Sequence, residues 1–315
     1  MKILLIRGGA LGDFVVTLPT LALLRERWPE AHIEALGHPR LCEVALRRHY
    51  LDAVRSVDRG PLSTFFTPRA VLDPEWMDYI GDFDLVLSYF YDPDGFFLHN
   101  LERCKPVQIL THAPRVPADF PWPAARHFAG IVEPLGLALG PDASSRVFPS
   151  PEDAAGARAF LSGLAPGTRL VALHPGSGGE TKNWPKQAWA ELGRRLTAEV
   201  SGLVLLLVEG EADAEPAEFL AAAWREVPHL RARWLPLPIL AAVLREAHAF
   251  LGHDSGITHL AAAARPDLPV LALFGPTDPV VWAPPRAGVR VLRGDPTIRN
   301  LTVEEVFTAA LEVVR

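Results

Sequence analysis

The chain has 315 residues, 49% hydrophobic and 22% charged, and 31 Lys and Arg against 37 Asp and Glu give a formal net charge of −6. That length favours two domains over a single core, and the acidic balance excludes a general nucleic-acid binder, which needs a basic surface to displace counterions. Its 2 cysteines are too few for a disulfide framework or a cysteine-rich metal site, which suits a reducing compartment.

Short leucine-rich and β-branched runs alternate with amphipathic stretches, the pattern of βαβ units around parallel sheets. KILLIR reads as the first strand. Residues 14–28 read as its helix, with Val15, Leu18, Leu21, Leu24 and Trp28 about one turn apart. Pro19 is expected to weaken or kink that helix. HIEALG and LVLSYF, residues 85–90, are further strands. Between residues 91 and 147 the pattern loosens, and residues 137–153, rich in Pro, Ser and Asp, form the expected linker.

The alternation then restarts. LVALHPGSGG is a strand and loop, a helix begins at Lys186, GLVLLLVEG is a strand, and a helix covers residues 213–225. AFLGHDSG, HLAAAA and PVLALFG continue the series, and TVEEVFTAALEVVR closes it as a helix with Thr302 as N-cap. The apolar run WLPLPILAAVL, residues 234–244, falls short of the ~20 residues of a membrane span. A cytoplasmic protein is expected, with peripheral contact at the inner membrane left open. The expected fold is α/β, with Rossmann-like domains at residues 1–148 and 149–315 facing a central cleft. The terminal helix has the option of packing back on the first domain.

The opening loop RGGALGD is an imperfect dinucleotide fingerprint. Gly9 and Gly12 fill its last two glycine positions, but Arg7 stands at the first, and HIEALG ends in Gly37 rather than a ribose-binding acid. Asp13 has two compatible readings: a helix N-cap, or a general base beside glycines that let a substrate approach.

Three loops of the second half follow strands, where ligands of open α/β sheets bind. HPGSGGETKNWP offers Ser177, Gly178 and Lys182 as donors to a diphosphate, or is a solvated glycine-rich loop. Lys182 stands out because the chain has only Lys2, Lys105, Lys182 and Lys186. HDSGITH sets Ser255 and Gly256 at a helix head, a phosphate contact, with Asp254 as a ribose or orienting group. His253 and His259 match no zinc spacing and read as histidines near a phosphate or satisfied by hydrogen bonds. FGPTDPVVW reads as a packing loop, with Thr277 and Asp278 as minor candidates.

Taken together, IRGGALGDFVVTLPTLALLRERWP, HPGSGGETKNWP, GHDSGITHLA and FGPTDPVVW resemble the motifs of glycosyltransferase family 9, the heptosyltransferases of lipopolysaccharide core synthesis. The resemblance implies a GT-B fold and inverting, metal-independent transfer without a cofactor. It implies a nucleotide-sugar donor, ADP-heptose in the family, and a glycan or glycolipid acceptor, with no nucleic-acid partner. By the same resemblance Asp13 is the base, Lys182 contacts the donor phosphates, and Ser177, Asp254, Ser255 and Gly256 match donor-site positions. Glu211, Asp213 and Glu215 compete as the ribose-binding acid, with His259 also on the donor side. Gly9 and Gly12 shape the acceptor-side loop, and domain closure would assemble the site. Arg55, Arg59, Arg69, Arg103 and Arg115, with aromatics such as Phe90, Tyr91 and Trp122, are acceptor candidates whose simpler reading is ordinary surface. The alternatives are an epimerase or hydrolase on the same scaffold, or a catalytically silent sugar-binding protein.

Overall fold

A computed structural model describes all residues except Arg59, Asp142, Glu211 and Ala212. The chain divides into two units, Met1–Ala143 and Ser144–Arg315. The division falls before residue 148 because the following segment already belongs to the second unit: Val147 N–H donates to the Ala263 carbonyl at 3.0 Å.

The first unit holds a five-stranded parallel sheet. Its strands are β1 (Lys2–Ile6), β2 (His32–Gly37), β3 (Ala53–Ser56), β4 (Leu85–Ser88) and β5 (Gln108–Thr111), in the order β3-β2-β1-β4-β5. Ile3 to Ile6 are wholly buried, as a central parallel strand covered on both faces requires. The strand order reverses at β1, so the loop leaving β1 sits at a topological switch point. That loop feeds α1 (Leu11–Arg27), which runs unbroken through Pro19. The proline removes one N–H, but α1 buries Phe14, Val15, Val16, Leu18, Leu21 and Leu24 and packs against α5, and that burial outweighs the local cost. The loosely patterned region from residue 91 onward contains regular elements: α4 (Phe96–Arg103), β5 and α5 (Ala124–Ala129), with α2 (Pro39–Cys42) and α3 (Pro74–Gly81) before it.

The second unit begins with α6 (Pro151–Leu161), capped by Ser150. Its six parallel strands are β6 (Arg169–His174), β7 (Leu203–Glu209), β8 (His229–Arg233), β9 (Ala249–His253), β10 (Val270–Phe274) and β11 (Val289–Arg293). They run in the order β11-β10-β9-β6-β7-β8, and the switch point lies between β6 and β9. The helices between them are α7 (Lys186–Glu199), α8 (Ala214–Ala223), α9 (Leu237–Arg245), α10 (Gly256–Ala264) and α11 (Pro279–Trp282). Trp184, Trp189 and Trp224 fill the core beneath α7 and α8. The last helix, α12 (Val303–Val314), packs on α7 and β10 of its own unit, with Thr302 and Glu305 forming its capping box.

Candidate functional site

The chain leaves β1 through Arg7, Gly8 and Gly9 and enters α1. Asp13 stands within the first turn of α1, and the N-cap position is Ala10. Its Oδ2 accepts the Ala10 N–H at 3.0 Å, so the carboxylate serves the helix start from inside. Its Oδ1 faces the Arg7 guanidinium at 3.6 Å, and the side chain remains 33% exposed. Gly9 has φ +97°, and a Cβ there would lie 2.6 Å from Asp13 Oδ2. Glycine at position 9 is therefore what lets the carboxylate fold back over the loop. Gly12 is the second residue of α1 and partly buried.

Arg7 is the residue that sequence reasoning passed over, having treated it only as a missing glycine. Its guanidinium lies 4.3 Å from the Phe128 ring and 5.1 Å from the Tyr89 ring. It donates to the Pro114 and Asp13 carbonyls, each at 3.4 Å. Burial pushes the Arg7 pKa down, and the neighbouring Asp13 charge opposes that shift. A cation so enclosed requires a counter-charge, and Asp13 supplies it while being held in one orientation. The available signal was a charged residue directly after the four apolar residues Ile3 to Ile6.

In the second unit, the loops after β6, β9 and β10 converge on Asp254. Lys182 Nζ donates to Asp254 Oδ2 at 2.6 Å, and Thr277 Oγ1 donates to the same oxygen at 2.7 Å. Asp254 is nearly buried and Lys182 partly exposed. An ammonium has three donors, and Asp254 fixes its position while engaging one of them. Next along, Ser255 caps α10, its Oγ accepting the Thr258 N–H at 3.4 Å. Gly256 opens the helix, whose first amide groups have no intrahelical acceptor and favour an anion. Ser177 Oγ donates to the Gly179 carbonyl at 3.0 Å, folding the loop on itself. Gly178 is exposed with open space around its Cα.

The histidines divide by role. His253 Nε2 accepts the Trp184 N–H at 2.9 Å and the Trp189 Nε1–H at 3.3 Å. Its proton is thus assigned to Nδ1, which faces the Gly176 carbonyl at 3.4 Å. Burial pushes this ring down to about 3, helped by the charge of His174, so it is a neutral structural node. His259 is buried in the first turn of α10. His174, quoted within a motif but given no role from sequence, lies 3.0 Å from Asp213 through Nε2 and 3.4 Å from Ser255 Oγ through Nδ1. Gly176 makes that pairing possible, since a Cβ there would fall 1.6 Å from Asp213 Oδ1.

Residues 142–304 match glycosyltransferase family 9 (heptosyltransferase). The chain belongs to this family. It is 28% identical to lipopolysaccharide heptosyltransferase 1 of Pseudomonas aeruginosa over 319 positions, covering 89% of this chain and 80% of that protein. A glycosyl transferase family 9 structure from Veillonella parvula superposes with TM-score 0.82 at 20% identity, covering 99% of this chain and 97% of the other. The ADP-heptose lps heptosyltransferase II of E. coli superposes with TM-score 0.78 at 18% identity, covering 100% and 98%. These likenesses establish the GT-B fold class, and family membership makes the chain a glycosyltransferase.

Among the acids after β7 in this family 9 chain, Glu211 lies outside the described residues. Asp213 is turned inward to His174 and the Gly210 N–H, and Glu215 is paired with Lys186 at the surface. Glu209, at the end of β7, is buried against Arg231 with contacts of 2.9 and 2.8 Å. Asp278 caps α11 by accepting the Val280 N–H at 2.9 Å.

Two of the candidate acceptor arginines are committed elsewhere. Arg55 stacks 3.8 Å from the Tyr79 ring centroid, and Arg103 donates to the Ala70 carbonyl and Asn100. Arg59 lies outside the described residues. Beside the opening loop, the first unit carries a cavity of about 680 Å³ lined by Gly8, His38, Asp58, Phe66, Phe90 and Tyr91, among others.

Proposed function

We propose that this family 9 enzyme transfers a sugar, a heptose, from an ADP-sugar to a lipopolysaccharide-like glycan acceptor of the cell envelope, with inversion and without a metal ion. The observation that carries the reading is the convergence of three strand-end loops on Asp254, which sets Lys182 and the head of α10 at the switch point of the second sheet. A partly exposed cation beside unfilled amide groups suits a diphosphate. The likeness to the Pseudomonas lipopolysaccharide heptosyltransferase and the E. coli ADP-heptose enzyme supports heptose, ADP and lipopolysaccharide as the substrates to try first.

In this mechanism the acceptor hydroxyl attacks the anomeric carbon from the face opposite the leaving group. Asp13 accepts the hydroxyl proton as the new C–O bond forms and the bond to the donor phosphate breaks. Lys182, Ser177, Ser255 and the amide groups of Gly178 and Gly256 stabilise the departing nucleoside diphosphate. His259, Asp254 and Glu211 serve the ribose and base, Asp213 being turned inward to His174 and Glu215 paired with Lys186. Gly9 keeps Asp13 in place, and Gly9 and Gly12 leave the acceptor side open. Among the described residues, no helix is long and apolar enough to cross a membrane. We place the reaction in the cytoplasm, where a glycolipid acceptor is met at the inner membrane face.

A thermal-shift panel of ADP-, GDP-, UDP- and dTDP-sugars tests the donor assignment, because a ligand that binds only the folded state raises its stability. Stabilisation by ADP-sugars above the others is expected. Stabilisation by another base corrects the donor, and none by any member removes the reading. Sugar turnover without acceptor would favour the epimerase or hydrolase alternative.

A further inference from the structure

Trp234 follows the last residue of β8 in the run WLPLP, and its placement is unfavourable on two counts. It is 56% exposed, whereas Trp184, Trp189 and Trp224 are buried. Its φ is +50°, a left-handed conformation that a bulky residue rarely adopts. Among the described residues of the second unit it is the one non-glycine with a positive φ. Folding alone gives no reason for a large apolar ring to stand in water on a strained backbone.

The flanking chain holds that strain in place. The Trp234 N–H donates to the Glu209 carbonyl at 3.1 Å, continuing the β7–β8 ladder past the Glu209–Arg233 pair. On the other side Leu235 precedes Pro236, the N-cap of α9, and a residue before proline is driven to extended backbone. The turn between strand and helix therefore falls on Trp234. Arg233 lies 5.1 Å from the indole centroid and is paired with Glu218 at 3.7 Å, so the ring is flanked by a cation whose charge is balanced.

The place of Trp234 in the sheet gives the ring a use. The strands are parallel, so their C-terminal ends line one edge, with β9, β6, β7 and β8 side by side. The head of α10 follows β9, Lys182 lies in the loop after β6, the candidate ribose acid comes after β7, and Trp234 comes after β8. Neighbouring strands lie about 4.8 Å apart, so the three steps from β9 to β8 span roughly 14 Å. That is the reach of an extended nucleoside diphosphate from its outer phosphate to its base. A diphosphate at β9 and β6, with its ribose at β7, brings the base to the end of β8.

We propose that the indole of Trp234 is the stacking platform for the donor nucleobase, and that it favours a purine, whose fused rings overlap it more than a pyrimidine does. The inference rests on the donor-site reading given above and adds the base contact to it. Stacking on an aromatic side chain needs no hydrogen-bond code. The strained turn exists in the free protein, so the platform is preformed and little ordering remains to be done on binding.

The test is calorimetric titration of full-length wild type, Trp234→Gly, Trp234→Phe and Lys182→Ala with ADP and UDP, with melting temperature and tryptophan emission recorded alongside. In Trp234→Gly the affinity for ADP should fall by about 5- to 100-fold, and that for UDP by less. Its melting temperature should hold or rise, because glycine takes a φ of +50° without strain. Trp234→Phe should keep most of the ADP affinity, and Lys182→Ala should weaken both nucleotides alike. ADP should quench part of the tryptophan emission in wild type and not in Trp234→Phe. If Trp234→Gly does not fold, Trp234→Phe and the quenching decide the matter. An ADP affinity within twofold of wild type in Trp234→Gly, tighter wild-type binding of UDP than of ADP, or quenching that survives in Trp234→Phe would overturn the proposal and leave the donor site standing. Failure of ADP, GDP, UDP and dTDP to bind the wild type would remove the donor-site reading itself, and this inference with it.

Discussion

The β1–α1 and β9–α10 turns are the same structural device put to opposite electrostatic uses. Each leaves a buried central strand at the switch point of its sheet and enters a helix through glycine. In the first unit an acid occupies the helix start: Asp13 takes the Ala10 N–H and carries a negative charge where an anion would otherwise sit. In the second unit the cap is the neutral Ser255, with Lys182 held alongside by Asp254. A helix head is thus only a field, and the charge of one side chain decides whether it receives an anion or presents a base. The neighbours follow suit, since Arg7 buttresses the acid whereas His174 reaches the serine.

The largest expected effect comes from removing the charge on one side of this contrast. Asp13→Asn keeps the shape and the hydrogen bond geometry but loses the proton acceptor, and a fall in kcat of about 10³-fold is expected in a transfer assay. Retention of turnover within tenfold would place the base elsewhere.

The glycines sharpen the comparison next. In Gly176→Ala the new methyl would lie 1.6 Å from Asp213 Oδ1, and in Gly9→Ala 2.6 Å from Asp13 Oδ2 at a φ of +97°. Both should lose about 3 kcal/mol or more in urea unfolding. They should differ in readout, with donor affinity suffering in Gly176→Ala and kcat in Gly9→Ala. Identical kinetic defects would erase the distinction between the two loops.

Lys182→Ala removes the partly exposed cation and leaves Asp254 with Thr277. Donor binding should weaken by about 10- to 100-fold, the worth of a charge-assisted hydrogen bond, as measured by calorimetry. Unchanged affinity would detach this loop from the diphosphate.

A smaller effect should appear in acid. The His253 pKa is depressed from 6.5 to about 3 in the folded protein, so between those values the unfolded chain binds the extra proton. Stability should therefore fall as pH drops below about 6.5, by up to about 1.4 kcal/mol per pH unit from this group. The depressed Asp213 carboxyl acts in the same direction, its contribution being lost as pH falls through its folded value. In His253→Gln the acid limb of the melting curve should be shallower, and an unaltered limb would show that the ring is not buried neutral.

Much of the architecture was legible because strands such as those in KILLIR, GLVLLLVEG and PVLALFG are buried over most of their length and read as nearly continuous apolar runs. The glycine-bearing loops after them announced themselves by composition. Pro19 misled because local propensity was weighed without the packing that overrides it. Residues 91–143 concealed α4, β5 and α5 because their elements are short and set among prolines. Within the site, Asp13, Lys182 and Ser255 were visible by residue type and place. Arg7 and His174 were not, because what gives them meaning is distant in sequence: Phe128 and Pro114 for the arginine, Asp213 and Ser255 for the histidine. Gly176 was equally silent, since its need for a missing Cβ depends on where Asp213 returns.

The division of duties between the two helix heads is tested most directly by the affinity of full-length Asp13→Asn for its nucleotide-sugar donor, measured beside the wild type by calorimetry. The account predicts a Kd within about twofold of wild type, a difference below 0.5 kcal/mol, in a protein that no longer turns over. A loss of tenfold or more would place Asp13 in the donor site and contradict the account.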